Sequence, residues 1–160
     1  MKKGLLFAFL GFVGYKLVTN INGVKGLEYG FEKLSVNKKQ ISLSNLTSNK
    51  PIPATVNFTI YNPSTKPVGI DNFYGDLSFK GTKVSNIDLV PTKKIMLEAR
   101  KSTSVAVSLG LPIQSFGSEL INYVKASLTG GKVQPISMVV AGKLKLDGVT
   151  LPVNQKIDLA

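Results

Sequence analysis

The stretch Ala54-Thr-Val-Asn-Phe-Thr-Ile60 decides the fold, because its apolar and polar residues alternate strictly. In an extended chain the apolar residues at even positions fall on one side, while Thr55, Asn57 and Thr59 fall on the other. One dry face and one wet face are typical of a strand in an antiparallel sheet that covers a core. The sequence therefore predicts a sheet protein rather than a helical bundle.

The same alternation recurs on both sides of this stretch, and turn-forming residues separate the repeats. The turns are expected at Asn62-Pro63, Gly81, Pro91 and Asp147-Gly148, of which the last is typical of a tight hairpin. We therefore predict about eight short strands in a single antiparallel β-sandwich. The predicted strands cover residues 31–36, 41–46, 54–60, 68–79, 84–97, 105–109, 140–146 and 151–159.

One segment follows a helical period instead. Its apolar residues are spaced three and four apart, which indicates an amphipathic helix with one buried stripe. Pro112 suits the first turn of this helix and Gly130-Gly131 suits its end. A lone helix in a sheet protein must lay its stripe on the sheet, so we expect it to close an open end or edge. The stripe consists of Ile113, Phe116, Leu120, Ile121, Val124 and Leu128.

Composition excludes several kinds of chemistry. The 160 residues are 43% hydrophobic and 18% charged, which suffices for a buried core, and they include no cysteine, histidine or tryptophan. Disulfides, thiol nucleophiles, histidine-ligated metals and Ser-His-Asp catalysis are therefore excluded. The nine carboxylates, among them Asp71 and Asp76, show no spacing that would bring two together in a cleft, and we expect them to lie on the surface. We predict a non-enzymatic protein with no cofactor and no metal.

The charge balance is strongly basic, with 20 Lys and Arg against nine Asp and Glu, a net charge of +11. Such an excess attracts polyanions, yet Arg100 is the single arginine, and base-specific recognition of nucleic acid favours arginine. Two interpretations stay open, a solvated lysine surface and a contact for an anionic partner; nucleic acid is not expected. The candidate contact residues are Lys38, Lys39, Lys93, Lys94, Arg100 and Lys101.

The N-terminus combines Met1-Lys-Lys with an apolar run over residues 4–18 that Lys16 interrupts. Fifteen helical residues span roughly 22 Å, short for a bilayer, although flanking lysines can reach outward. Three interpretations follow: an uncleaved membrane anchor, which we favour; a cleaved secretory signal; and an apolar helix packed against protein neighbours. We expect anchor and linker over residues 1–24 and the sheet domain over 25–160. The anchor residues would be Leu5, Leu6, Phe7, Phe9, Leu10, Phe12, Val13 and Tyr15.

Residues 54–81 also carry a family resemblance. An alternating strand is followed by Asn-Pro, a few polar residues, Pro-Val, an apolar alternation with an aromatic residue, and a glycine after the next strand. This pattern resembles the signature of the group 2 late embryogenesis abundant proteins, whose module is called the water-stress and hypersensitive-response (WHy) domain. The matching positions are Asn62, Pro63, Pro67, Val68, Ile70, Tyr74, Leu77 and Gly81.

The resemblance implies a Greek-key β-sandwich similar to fibronectin type III domains, with one packed helix and a non-enzymatic role related to stress. For the Asn-Pro turn we expect a structural role: Asn62 can bond the backbone two residues ahead, and Pro63 ends the preceding strand. The function expected is a membrane-anchored binding or protective module at the cell envelope, outside the cytoplasm, which contacts protein partners through its sheet faces. The alternative is a structural subunit of a phage virion or envelope assembly, whose apolar N-terminus packs against protein neighbours.

Overall fold

Strands dominate the protein in the computed structural model, which describes residues 15–16 and 24–159. The all-β prediction is therefore confirmed. Predicted strands 54–60, 68–79, 105–109, 140–146 and 151–159 all fall within observed strands. The strands are β1 (Tyr15–Lys16), β2 (Glu28–Val36), β3 (Ile52–Tyr61), β4 (Val68–Phe79), β5 (Thr82–Leu89), β6 (Ile95–Leu97), β7 (Ser102–Leu111), β8 (Ile136–Leu146) and β9 (Val149–Leu159).

The described strands form one sheet with the order β5-β4-β8-β9-β2-β3-β7, to which β6 adds beside β4 and β1 beside β2. Neighbours pair in antiparallel fashion except β2 and β9, which share a single parallel bridge between Leu34 and Leu159. The two edge strands, β5 and β7, approach each other without forming a ladder. The sheet thus curls into a nearly closed, barrel-like shape.

The bridge between β2 and β9 is a thin seam, and a side chain supplements it. Gln155 on β9 is buried; its Nε2 donates to the Phe31 carbonyl at 2.5 Å, and its Oε1 accepts from the Phe31 N–H at 2.8 Å. The amide thus replaces the pair of backbone bonds that a neighbouring strand would supply. On either side of this seam lie two halves, called here the β4 half (β4, β5, β6, β8 and β9) and the β3 half (β1, β2, β3 and β7).

A trio of phenylalanines joins the two halves across the core. The ring of Phe73 on β4 lies 5.0 Å from Phe31 on β2 and 5.9 Å from Phe58 on β3, measured between centroids, and Phe31 and Phe58 are 4.8 Å apart. All three side chains are buried. Gly142 on β8 makes room for this trio, since a Cβ there would lie 2.3 Å from the Tyr74 carbonyl oxygen and 2.8 Å from the Phe73 ring.

Three α-helices lie within the described residues: α1 (Leu43–Thr47), α2 (Ile113–Phe116) and α3 (Ser118–Thr129). The predicted amphipathic helix corresponds to α2 and α3, which are separated at Gly117, whose φ of +60° is unsuited to a helix. Its stripe is buried as expected at Phe116, which lies 4.7 Å from the Phe79 ring, and at Leu120 and Val124. Gly130 ends α3 in the left-handed conformation.

Two predicted strands are corrected. Residues 41–46 do not form a strand, because the Asn45 side chain accepts a bond from the Ser42 N–H at 2.8 Å and favours the start of α1. The predicted strand 84–97 divides into β5 and β6, both of which pair with the same edge of β4. Residues 90–94 leave that edge between them, since Pro91 cannot donate to a ladder.

The predicted anchor lies outside the described residues, except where Tyr15 and Lys16 form β1. There the backbone is extended and pairs with Tyr29 and Glu28. The anchor interpretation expected a helix at Tyr15 and Lys16, and for these two residues that expectation is wrong. Among the helices of the described residues, none has the length and hydropathy required to cross a bilayer.

The strand registers define two ends of the domain. At one end, called here the loop end, the chain passes between β2 and β3, between β4 and β5, and through α2 and α3. At the opposite end, called the latch end, β3 leads into β4, β6 leads into β7, and the Asp147-Gly148 hairpin joins β8 to β9. The predicted hairpin is confirmed, with φ of +44° at Asp147 and +83° at Gly148.

Candidate functional site

Asn62 is a buried junction at the latch end. Its Nδ2 donates to the carbonyls of Lys66 at 2.8 Å and Leu97 at 3.0 Å, and its Oδ1 accepts from the Ser64 N–H at 3.1 Å. The Asn62 N–H donates to the Lys101 carbonyl at 3.0 Å. The fully buried side chain thus connects the β3–β4 turn to the end of β6, and the Asn62 backbone connects it to the segment between β6 and β7. The bond to Ser64 is the backbone contact two residues ahead that the sequence predicted.

The other resemblance residues lie in structural positions, with one exception. Val68 is fully buried at the start of β4, and the exposed Pro67 precedes it. Gly81 has a φ of +81° and makes the tight turn from β4 to β5. Tyr74 differs, since its side chain is 52% exposed on the outer face of the sheet.

A second polar cluster at the latch end, called here the latch, consists of Asp71, Lys94 and Asp147. The Lys94 ammonium lies 3.0 Å from Asp71 Oδ1 and 2.8 Å from Asp147 Oδ1. The remaining carboxylate oxygens accept backbone N–H groups, from Gly148 to Asp71 at 2.8 Å and from Gly69 to Asp147 at 3.0 Å. The latch therefore ties together β4, the excursion between β5 and β6, and the β8–β9 hairpin.

The latch groups shift one another's protonation in the expected directions. The Gly148 N–H, followed by the Lys94 ammonium, holds the pKa of the Asp71 carboxyl below its ordinary value. The Asp147 carboxylate, followed by that of Asp71, raises the pKa of Lys94. Both carboxylates are largely shielded, at 19% and 18% side-chain exposure, whereas the lysine is 45% exposed. These charges hold one another in place, so the arrangement stabilises the fold rather than presenting a reactive group.

The structure does not bring the six predicted anion-binding cations together. Lys38 and Lys39 lie at the loop end in a short 3-10 helix, whereas the other four lie at the latch end. Lys94 belongs to the latch, and Lys101 pairs with Glu98. The strands between the two ends have about ten residues, which corresponds to roughly 30 Å. A single contact surface of all six is therefore not formed within one domain.

The outer face of the β4 half, called here the Tyr74 face, is mixed in polarity. Tyr74 lies at its middle, directly across from Asp88 on β5 and Lys143 on β8, with Pro152 on β9 next in the same row. All four side chains are exposed. An aromatic ring with charged neighbours on a rigid sheet is an arrangement that suits binding.

A shallow cleft of about 290 Å³ opens at the loop end of the Tyr74 face. Val139, 40% exposed, and the buried Met138 form its apolar part, and Lys80 and Lys156 stand at its sides. Lys80 is paired with Glu119 at 2.5 Å across the rim. Cations around an apolar floor can receive an acidic group that is attached to an apolar one. The other lining residues are Ser78, Gly81 and Ser137.

The outer face of the β3 half has a different character. Thr55, Asn57 and Thr59 on β3 lie opposite Ser108, Ala106 and Ser104 on β7, and the register continues without a bulge along both strands. No charged side chain belongs to either strand, although the whole chain carries a net charge of +11. Of the three residues on the predicted wet side of β3, Asn57 is exposed, whereas Thr59 is buried and bonds to Glu32 and Ser104. The sequence did not indicate that a second uncharged strand would lie beside β3.

The described residues contain no group of three or more His, Cys, Asp or Glu side chains that could hold a metal ion. Two residues that proved important were not singled out from the sequence. Asp147 was expected only to form a turn, and Gln155 occupies an inward position where the alternation predicted an apolar residue. A polar residue at an apolar position of the alternation is the signal that could have identified Gln155.

No family model matches the chain, and no curated protein matches it in sequence. Solved structures with a similar fold include a Bordetella pertussis protein named ApaA, at 12% identity and a TM-score of 0.50, with 84% of this chain and 92% of that chain covered. A protein from Archaeoglobus fulgidus is similar at 9% identity and a TM-score of 0.46 over 84% and 93% of the two chains. One from Arabidopsis thaliana is similar at 15% identity and 0.40 over 92% and 83%. At such identities the likeness concerns the fold alone.

Proposed function

We propose that the protein is a non-enzymatic binding module of the WHy type, with the fibronectin type III-like Greek-key fold that this resemblance implies. The apolar residues that precede β1, from residue 4 to residue 14, would hold it at the membrane of the cell envelope with the domain outside the cytoplasm. The Tyr74 face would contact a protein partner. The observation that carries the proposal is the exposed Tyr74 ring at the centre of a rigid sheet face.

The surroundings of Tyr74 indicate the chemistry of the partner. Lys143 lies directly beside the ring, and the cleft four residues further along the strands is bordered by Lys80 and Lys156. An aromatic anchor with cations nearby suits a partner segment that presents an apolar side chain next to a carboxylate. The glycines and the phenylalanine trio pack closely beneath the face, and a preorganised surface lowers the entropic cost of binding.

A photo-crosslinking amino acid at position 74 tests the contact in the host cell. We expect Tyr74 to yield a defined crosslinked protein, because its side chain lies at the centre of the proposed surface. The matched control is Asn57, an exposed mid-strand position on the opposite half. Equal crosslinking from positions 74 and 57, or none from either, would contradict the proposed contact.

Cell fractionation tests the tether separately. Phe7→Asp combined with Phe9→Asp should release the protein from the membrane fraction, because charged side chains in an apolar segment oppose insertion. Phe7→Leu with Phe9→Leu preserves the hydropathy and should leave the protein in that fraction. Membrane association that survives the aspartates would exclude residues 4–14 as the tether.

The alternative function, a structural subunit of a phage virion or envelope assembly, is favoured by the uncharged outer face of β3 and β7. Copies with a net charge of +11 repel one another, and a face without cations is a place where two of them can pack. Purification of the native protein distinguishes the two functions. Recovery in stoichiometric particles supports the subunit, whereas recovery with membranes supports the tethered module.

A further inference from the structure

The loop between β2 and β3 is an ordered projection at the loop end. Its base is closed by the Asn37 N–H, which donates to the Pro53 carbonyl at 2.9 Å, and by Thr55 Oγ1, which donates to Asn37 Oδ1 at 3.0 Å. The α1 helix is held internally, since the Ser48 N–H donates to the Ser44 carbonyl at 3.0 Å. A loop with joined ends and its own hydrogen bonds presents its side chains in a fixed arrangement.

The side chains of this loop divide into an inner and an outer set. Ile41 is 8% exposed and packs into the core, and Leu46 packs against its margin. Leu43 points away from the core and is 59% exposed, although it lies in the same helix as Leu46. A single exposed leucine is ordinary on a protein surface, so its meaning depends on its surroundings.

The charged residues of this loop are all lysines, and no carboxylate in the loop balances their charge. Lys38, Lys39 and Lys50 are exposed, and residues 37–51 include no aspartate or glutamate. None of the three ammonium groups forms an ion pair within the part of the chain that the structure describes. Lys94 at the latch end differs, because it forms ion pairs with two carboxylates. Unpaired lysines are therefore a feature of this loop and not of every lysine in the domain.

We propose that this loop docks on an anionic lipid bilayer, with Leu43 inserted at the headgroup level and the three lysines against lipid phosphates. An exposed apolar side chain in a loop whose cations are unpaired fits a negatively charged surface with an apolar interior, whereas nucleic acid would leave Leu43 without a partner. The inference deepens the proposed tether, on which it rests, by fixing which end of the domain faces the membrane.

The experiment uses the full chain reconstituted in vesicles of phosphatidylcholine, with or without phosphatidylglycerol. Because the chain has no cysteine, Ser48→Cys can be labelled alone with the polarity-sensitive dye nitrobenzoxadiazole, and Thr65→Cys provides a matched exposed label at the latch end. We expect a blue shift from position 48 with phosphatidylglycerol only, and none from position 65. Equal emission from position 48 in both vesicles would overturn the proposal.

Two charge variants in the labelled background separate loop lysines from net charge. Alanine at positions 38, 39 and 50 should lower the docking constant about a hundredfold, since each lysine near an anionic surface contributes roughly a fivefold factor. The control, Lys25, Lys66 and Lys93→Ala, removes the same charge at exposed positions elsewhere and should keep the blue shift. Equal loss from both variants would contradict a specific loop contact.

The Leu43→Ala variant distinguishes lipid from other polyanions. It should weaken the docking to phosphatidylglycerol about tenfold, because the inserted side chain loses most of its apolar surface. A shift produced by duplex DNA on neutral vesicles and unaffected by Leu43→Ala would overturn the proposal in favour of a nucleic acid. Sedimentation with the vesicles shows separately whether the N-terminal tether fails. A chain that does not sediment with neutral vesicles but does so with anionic ones contradicts the N-terminal tether and leaves the loop contact supported.

Discussion

Asn62 makes more hydrogen bonds than any other buried side chain described above. Asn62→Ala removes the donors to the Lys66 and Leu97 carbonyls and the acceptor for the Ser64 N–H, so each of these backbone groups loses a hydrogen-bond partner. We expect a loss of about 2–4 kcal/mol in the free energy of unfolding, measured by urea denaturation. Asn57→Ala, on an exposed strand position, should change it by less than about 0.5 kcal/mol. A comparable loss in both variants would contradict the junction.

Gly142 is required for close packing of strands. A Cβ at this position would lie 2.3 Å from the Tyr74 carbonyl oxygen and 2.6 Å from the Gly75 Cα, which are backbone atoms that cannot move aside cheaply. Gly142→Ala should therefore lower the free energy of unfolding by about 1–3 kcal/mol. At Gly131 the nearest atom would be 3.6 Å away, an ordinary contact, so Gly131→Ala is the matched control and should be nearly neutral when both variants are compared in thermal melts.

For single residues, the sequence predicted local hydrogen bonds better than it predicted contacts with distant parts of the chain. The bond from Asn62 to the backbone two residues ahead follows from local chemistry, and it is present. Its bonds to Leu97 and Lys101 depend on residues 35 and 39 positions away, which no local pattern indicates. The exposure of Tyr74 was not predicted, because an aromatic residue in an alternating strand ordinarily lies in the core.

Among the elements, the latch gives the clearest pH dependence. The pKa of Asp71 is lower in the folded state than in the unfolded state, where it is about 4. The contribution of Asp71 to stability is therefore fully present above the unfolded pKa and is lost as pH falls through the folded pKa. The raised pKa of Lys94 makes its contribution persist up to the unfolded value of about 10.5 and disappear as pH rises through the folded one. Asp71→Asn should therefore melt below the native protein between about pH 5 and 9, and the two should converge below about pH 4.

Asp76→Asn is the control for that titration. Asp76 also pairs with a lysine, Lys83 at 2.8 Å, but both side chains are 54% exposed, and such surface pairs contribute little. Its melting temperature should follow the native protein across the same range. If Asp71→Asn and Asp76→Asn behave alike, the latch does not hold the three elements together.

The periodicity of apolar residues identified strands correctly where one face of the strand is buried. It failed where local hydrogen bonds determine the secondary structure. Residues 54–60 alternate because one face of β3 covers the core. Residues 41–46 alternate as well, but the Ser42–Asn45 contact favours a helix, and the exposed Leu43 shows that the apolar residues there do not share a buried face. The break at Gly117 was missed since a single glycine inside a helical stripe is usually tolerated.

For the whole molecule, the seam between β2 and β9 controls how the two halves stay joined. Gln155→Leu keeps the volume but leaves the Phe31 N–H and carbonyl unpaired. We expect about 2–4 kcal/mol of destabilisation and faster hydrogen exchange at the Phe31 amide than at amides in the β8–β9 ladder. Gln134→Leu, at an exposed position, is the control. Uniformly faster exchange along all strands would contradict local opening at the seam.

The overall class followed from the sequence, whereas the arrangement in space did not. Alternation predicts that strands exist and which faces are dry, but the order β5-β4-β8-β9-β2-β3-β7 is fixed by contacts between distant residues. The latch joins Asp71 to Gly148, 77 positions along the chain. The separation of Lys38 and Lys39 from the latch-end cations has the same origin, since their positions depend on strand direction rather than spacing.

The place of β9 in the sheet has a consequence for biosynthesis. This strand lies between β8 and β2, and it is the last strand of the described chain to leave the ribosome. The edges of β8 and β2 that pair with β9 therefore remain unpaired until translation has passed residue 159. A nascent polypeptide arrested a few codons earlier would leave a gap in the middle of the sheet, so that chaperones and proteases would meet it as an incomplete product.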